Sequence, residues 1–188
     1  MSPSSLAIAD TCFLIDWSRY RRRHLLFEVF RAVYVPEEVL NEVRSEALIA
    51  WISENLRRDR LALYTSTRDE LNEARGLVEA SRLRAQIPSI DLPEAVCLVA
   101  GKRRGYVVLT ENRGALLAPR YIDEYRGVAV WRSLEVLLET ALRGLVDYRR
   151  PEELFEEYSQ DTLHLFPAKA LKQALEKLVR KLDARRAS

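Results

Sequence analysis

Histidine and cysteine are scarce in this chain, with two of each among 188 residues. Cys12 and Cys97 stand inside apolar segments and in no metal-ligand spacing, so the sequence reads both as buried free thiols. No apolar run reaches the length of a membrane span, and Met1–Ser5 lacks the charged start and apolar core of a signal peptide. The expectation is a cytoplasmic protein with no membrane partner. Internal repeats and low-complexity tracts are missing as well. A strong net charge is also lacking, at +2, while 48% hydrophobic and 31% charged residues exclude a disordered chain.

The charge that is present is unevenly placed. Basic clusters occur at Arg19–His24, Arg57–Arg60, Lys102–Arg104 and Arg185–Arg186, and an acidic run at Glu152, Glu153, Glu156 and Glu157 precedes the last of them. Solvated helix faces explain most such clusters; a phosphate-backbone footprint needs a site beside it.

Short apolar strands alternate with helical patterns over the first 143 residues. Strands are expected at Leu6–Ala9, Ala32–Val35, Leu61–Tyr64, Tyr106–Thr110 and Val128–Trp131. Helical patterns begin at about Phe13, continue through Leu25–Phe30, cover Asp69–Arg84 and run from Leu134 to a stop at Gly144. The segment "PEEVLNEVRSEALIAWI" places Val39, Leu40, Val43, Ala47 and Trp51 on one helical stripe, and "SIDLPEAVCLVAGKRRG" is a helix start, an apolar body and a glycine stop. Strand–helix repetition implies an α/β fold, three layers deep, with helices on both faces of a mostly parallel sheet. After Asp147 the pattern changes to an acidic helix, a loop "SQDTLHLF" and a basic amphipathic helix. From Pro167 to Ser188, seven Lys or Arg stand against two acids, a balance of +5. The division expected is a domain over 1–147 and a C-terminal helical extension over 148–188.

Sheets of this kind carry their sites at the carboxyl ends of the strands. There the sequence puts acids: Asp10 after the first strand, Glu42 on the helix after the second, Asp91 and Glu94 at the next helix start, and Glu111 with Asn112 after "YVVLT". Converging carboxylates repel and hold protons unless a divalent cation sits among them. Oxygen ligands without His or Cys indicate Mg²⁺ or Mn²⁺, and that chemistry belongs to a metal-dependent nuclease. Each acid also has a plainer explanation. "DLPE" is a helix cap with its reciprocal partner, Asp10 caps the first helix, Glu42 is a solvated helix residue, and "TEN" caps a following helix through Thr110 or Asn112.

The motifs "AIADTCFLID", "VPEEVLNEV" and "LPEAVCLVAGKRRGYVVLTENRGA", in this order, resemble the PIN-domain family of metal-dependent ribonucleases, which includes the VapC-like toxins. The resemblance spans roughly residues 6–135. It implies RNA as substrate, cut by hydrolysis around Mg²⁺ or Mn²⁺, with Asp10, Glu42, Glu94 and Asn112 catalytic and Asp10, Glu42, Glu94 and Glu111 as the metal set. Thr11, Thr110, Arg113 and Asp91 would position phosphate or water, and the clusters near Arg21 and Lys102 would hold the RNA backbone. The family also implies a homodimer and, for a toxin, an antitoxin protein as partner. Glu94 stands where many members have Asp, and Asn112 where a fourth acid is common. The non-enzymatic alternative is therefore a scaffold that binds RNA or protein without efficient cleavage.

Two other α/β phosphate-handling classes fit poorly. A receiver-like phosphoacceptor needs an acidic pair after the first strand and a Lys after a late one, and a haloacid-dehalogenase-type phosphatase needs a second Asp two places after Asp10; the chain has Ala9, "VAVWRS" and Cys12 there. The C-terminal helices are expected to dock on the chain's own domain, a sister subunit or a partner, with Phe155, Tyr158, Leu165 and Phe166 as anchors.

Overall fold

The computed structural model describes residues 5–148 and 150–186, apart from the side chains at 182, 183, 185 and 186. Met1–Ser4 and the side chains of the Arg185–Arg186 cluster fall outside that description. Five strands, β1 (Ser5–Ala9), β2 (Phe30–Pro36), β3 (Leu61–Tyr64), β4 (Val107–Leu109) and β5 (Val130–Trp131), pair in parallel in the order β3-β2-β1-β4-β5. Helices flank the sheet, giving the three-layer α/β/α fold expected. They are α1 (Thr11–Arg19), α2 (Leu26–Val29), α3 (Glu37–Glu42), α4 (Glu46–Arg57), α5 (Arg68–Arg82), α6 (Leu92–Arg104), α7 (Arg113–Tyr121), α8 (Ser133–Arg143), α9 (Glu153–Thr162) and α10 (Ala168–Arg186). No helix among the described residues is long and apolar enough to cross a membrane.

The strand order fixes where a site can lie. The chain winds outward from β1 through β2 to β3, then returns to place β4 on the other side of β1. Between β1 and β4 the winding reverses, and the crevice beyond the carboxyl ends of these two strands is the topological switch point. Their register pairs Ala9 with Leu109. The next residue of each strand, Asp10 and Thr110, therefore emerges at the crevice side by side, and the Asp10 N–H extends the ladder to the Leu109 carbonyl at 3.0 Å.

Helix α6 runs directly over this sheet. Every residue from Pro93 to Gly101 is buried, which explains why its sequence is apolar nearly all round. Close approach requires Gly101, since a Cβ there would lie 2.5 Å from Val108 Cγ2. The helix ends at Gly105 in the left-handed conformation, φ 70°.

Two local expectations are corrected. The stripe from Val39 to Trp51 is not one helix: Val43 leaves α3 in extended conformation, and Ser45 opens α4 by accepting the Leu48 N–H at 3.4 Å. The interruption resets the helical phase, so Leu48 is buried where Ala47 was expected, and Ala47 is exposed. Among the C-terminal anchors, Leu165 is 85% exposed, because Leu163 ends α9 at φ 62° and turns the loop outward.

The extension docks on its own chain. Tyr158 is fully buried beside Trp17 and Tyr20, with ring centroids 5.6 and 5.1 Å away, and its hydroxyl meets Ser133 Oγ at 2.6 Å. Phe155 joins the same hydrophobic core, Phe166 stacks on Tyr158 at 5.6 Å, and α10 contributes Ala174 and Leu178 to that core.

Candidate metal centre

Asp10 is completely buried at the end of β1. One carboxylate oxygen, Oδ1, accepts the Phe13 N–H at 2.8 Å and so caps α1; the other, Oδ2, accepts a short hydrogen bond from the Thr110 hydroxyl. The cap explanation of Asp10 is thus correct and incomplete, since a cap occupies only one oxygen. Burial pushes the Asp10 carboxyl up to about 7; the hydrogen bonds from Thr110 and Phe13 oppose this, and the charges of Glu94 and Glu111 add to it.

Glu94 enters from the first turn of α6, where the helix dipole favours a negative charge. Its side chain reaches the crevice instead of closing a capping box. Asp91 occupies the N-cap position by backbone conformation but makes no side-chain cap bond, and it is exposed. Glu94 is 7% exposed, Oε1 accepts from Asn112 Nδ2 at 3.4 Å, and Oε2 is buried with no hydrogen-bond partner among the described residues. Burial raises its pKa, and the neighbouring charges of Asp91 and Glu42 add to the rise.

One ligand atom each from Asp10, Cys12 and Glu94 lie within 4.8 Å of one another. Cys12 was expected to be buried. It is exposed instead, because the second position of α1 faces outward over the crevice rather than into the core; Cys97 is buried as expected. Although the residue is exposed, the crevice partly shields the sulfur from water, and this desolvation together with the charge of Asp10 pushes the thiol up to about 12.

The remaining expected residues divide into those brought to this cluster and those held elsewhere. Glu42 is exposed at the end of α3, and its Oε2 accepts the Thr11 hydroxyl at 2.9 Å, which ties it to the start of α1. Thr110 serves as a hub, donating to Asp10 and accepting the Asn112 N–H at 2.9 Å. Asn112 corrects the sequence reading. Its Oδ1 caps α7 by accepting the Ala115 N–H at 3.0 Å, so the atom it turns to Glu94 is the amide nitrogen, a donor that cannot ligate a cation. Glu111 is also drawn away from the metal set. Its Oε1 accepts the Ser133 N–H at 2.8 Å and its Oε2 lies 3.5 Å from His164 Nε2.

His164 and Asp16 were missed by sequence reasoning. The His164 Nδ1 lies 3.0 Å from Asp16 Oδ2, so the loop between α9 and α10 is pinned to α1 and to Glu111, the second residue after β4, at once. The Asp16 hydrogen bond raises the His164 pKa. A lone histidine in "DTLHLF" gives no local signal of partners 53 and 148 residues away.

The two basic clusters expected to bind RNA are occupied within the chain. Arg21 pairs with Asp161 at 2.6 Å and Arg22 with Glu157 at 2.9 Å, which docks α9. Lys102 and Arg103 both pair with Glu73, and Arg104 with Glu70 at 3.4 Å. That cluster also lies at the far end of α6, roughly 15 Å along the helix from Glu94. Arg113 differs: it is exposed at the start of α7, forms no ion pair among the described residues, and borders a groove of about 550 Å³ shared with Glu111, Arg132, His164 and Leu165.

No Lys or Arg among the described residues neutralises Asp10, Glu42 or Glu94 by an ion pair. Buried carboxylates held together without a counter-charge are costly, and oxygen donors of this kind suit a hard divalent cation. A scan against protein-family models gives no match, and a search of curated proteins gives none either.

Proposed function

We propose that this protein is a metal-dependent endoribonuclease that hydrolyses RNA phosphodiester bonds with Mg²⁺ or Mn²⁺ at the Asp10–Glu94 centre. The observation that carries the reading is Glu94 Oε2, a buried carboxylate oxygen with no hydrogen-bond partner among the described residues, in a cluster with the buried Asp10. A divalent cation held there would supply polarisation of a phosphodiester oxygen and a more acidic bound water.

Asp10 and Glu94 are the residues that would hold the cation. Asp10 is kept in one orientation by the Phe13 N–H and the Thr110 hydroxyl, so little side-chain freedom is lost on binding. Glu42, exposed and tied to Thr11 beside Asp10, would orient the incoming water. Asn112 holds Glu94 through its amide. Arg113, exposed beside the groove, would contact the phosphate backbone. An RNA-binding or protein-binding scaffold is the second reading, favoured by Asn112, which turns its amide nitrogen rather than its oxygen toward Glu94.

A mixed pool of end-labelled RNA decides between them. The hydrolase reading expects cleavage in Mn²⁺, none in EDTA, and a rate lower by about 100-fold in Asp10→Asn, as for loss of a metal-site residue. Retention of RNA with no cleavage in Mn²⁺ or Mg²⁺ overturns it in favour of the scaffold.

A further inference from the structure

Cys12 gives this centre a donor that a Mg²⁺ or Mn²⁺ site does not use. Its sulfur and one carboxylate oxygen each from Asp10 and Glu94 lie within 4.8 Å of one another. Independently, Glu94 is 7% exposed and its Oε2 has no hydrogen-bond partner among the described residues, so a buried acceptor at the same place lacks a counterpart. Sulfur is a poor ligand for hard ions and a strong one for thiophilic ions. In tetrahedral zinc the sulfur and oxygen donors sit about 3.6 Å apart, given Zn–S near 2.3 Å and Zn–O near 2.1 Å. Rotation of the exposed Cys12 side chain would bring its sulfur toward that spacing from the two fixed carboxylates.

We propose that the centre also takes a thiophilic divalent cation, Zn²⁺, through Cys12 Sγ, Asp10 and Glu94, in competition with the hard cation. The inference rests on the hydrolase reading for that competition, not for the binding itself. As the Zn–S bond forms, the S–H bond breaks and its proton passes to solvent; no oxidation or reduction is involved. Zn²⁺ exceeds Mn²⁺ in affinity for nearly any nitrogen, oxygen or sulfur set, and a thiolate widens that gap. Three protein donors leave a fourth position open, so the bound ion stays exchangeable rather than structural.

The test uses the full-length, metal-free protein, its Cys12→Ser variant and a Cys97→Ala control. Zn²⁺ affinity is measured by competition with a chromogenic chelator, Mn²⁺ affinity by calorimetry, and thiolate ligation by the near-ultraviolet charge-transfer absorption of added Co²⁺. Cys12→Ser is expected to weaken Zn²⁺ by about tenfold or more while leaving Mn²⁺ within about twofold, and to abolish the Co²⁺ band that Cys97→Ala retains. Equal Zn²⁺ affinity in the wild type and Cys12→Ser, or a Co²⁺ band that survives Cys12→Ser, overturns the proposal with the hydrolase reading intact. Zn²⁺ binding through Cys12 in a protein that binds no Mn²⁺ supports the zinc site and removes the hydrolase reading instead.

Discussion

Thr110 donates its hydroxyl to Asp10 Oδ2 across 100 residues of chain. The pairing follows from sheet register alone, since each residue directly follows one half of the Ala9–Leu109 pair. It joins the two strands between which the winding reverses, and it is a main force holding the Asp10 carboxyl down against burial.

That force falls short, and a stability signature follows. Asp10 rises from its ordinary 3.8 to about 7 in the folded chain. Its contribution to stability is therefore complete below pH 4 and is lost as pH climbs through 7, because the folded state binds the proton more tightly than the unfolded state. The loss is of the order of 4 kcal/mol. Glu94 and Glu111, also raised, act in the same direction. The lowered carboxyls of Glu70, Glu73 and Asp161 act oppositely, but their loss occurs as pH falls below the ordinary carboxylate range. Urea unfolding in EDTA at pH 5 and pH 8 should show the metal-free protein weaker at pH 8, and Asp10→Asn should remove much of the difference. A wild type equally stable at both values contradicts this account.

Asn112→Asp tests whether the fourth position limits the site. An aspartate keeps the α7 cap to the Ala115 N–H and replaces the amide that now faces Glu94 with an anionic oxygen. Metal-free stability at pH 8 should fall, through repulsion with Glu94, while Mn²⁺ affinity should rise by roughly tenfold, the scale of changes around a metal's ligands. Calorimetry and urea unfolding on one preparation check both arms; unchanged affinity would mean that position 112 does not reach the cation.

The C-terminal helices are held by burial more than by charge. Tyr158 is completely buried against Trp17 and Tyr20, whereas Arg21, its neighbour in sequence to Tyr20, pairs with Asp161 at the surface. Tyr158→Ala should destabilise by about 3 to 5 kcal/mol, as for other large buried aromatics, and Arg21→Ala by far less. Chemical denaturation of the two variants gives the comparison, and a small effect of Tyr158→Ala would show that the extension docks loosely.

What local pattern determines was readable in the sequence. The strand at "YVVLT" and the apolar wrap of Ala95–Ala100 each reflect one element's burial, and Asp10 and Glu94 stood out as acids beside such elements. Contacts between distant elements were not readable. Glu111 is taken by Ser133 and His164, the 102–104 cluster by Glu70 and Glu73, and Arg21 and Arg22 by α9, all set by tertiary packing. Asn112 looked like an oxygen ligand because sequence names a side chain without saying which of its atoms is already used. The break at Val43–Ser45 could have been noticed, since Ser45 followed by Glu46 is a helix-start signal inside the proposed stripe.

Calorimetric titration of Mn²⁺ at pH 7.5 into the wild type, Asp10→Asn and Glu94→Gln is the most direct trial of a cation-seeking crevice between β1 and β4. The geometry predicts saturable binding by the wild type and affinity reduced by about tenfold or more in both variants. Equal binding by all three proteins would place the cation somewhere else and leave these two buried acids without the role assigned to them.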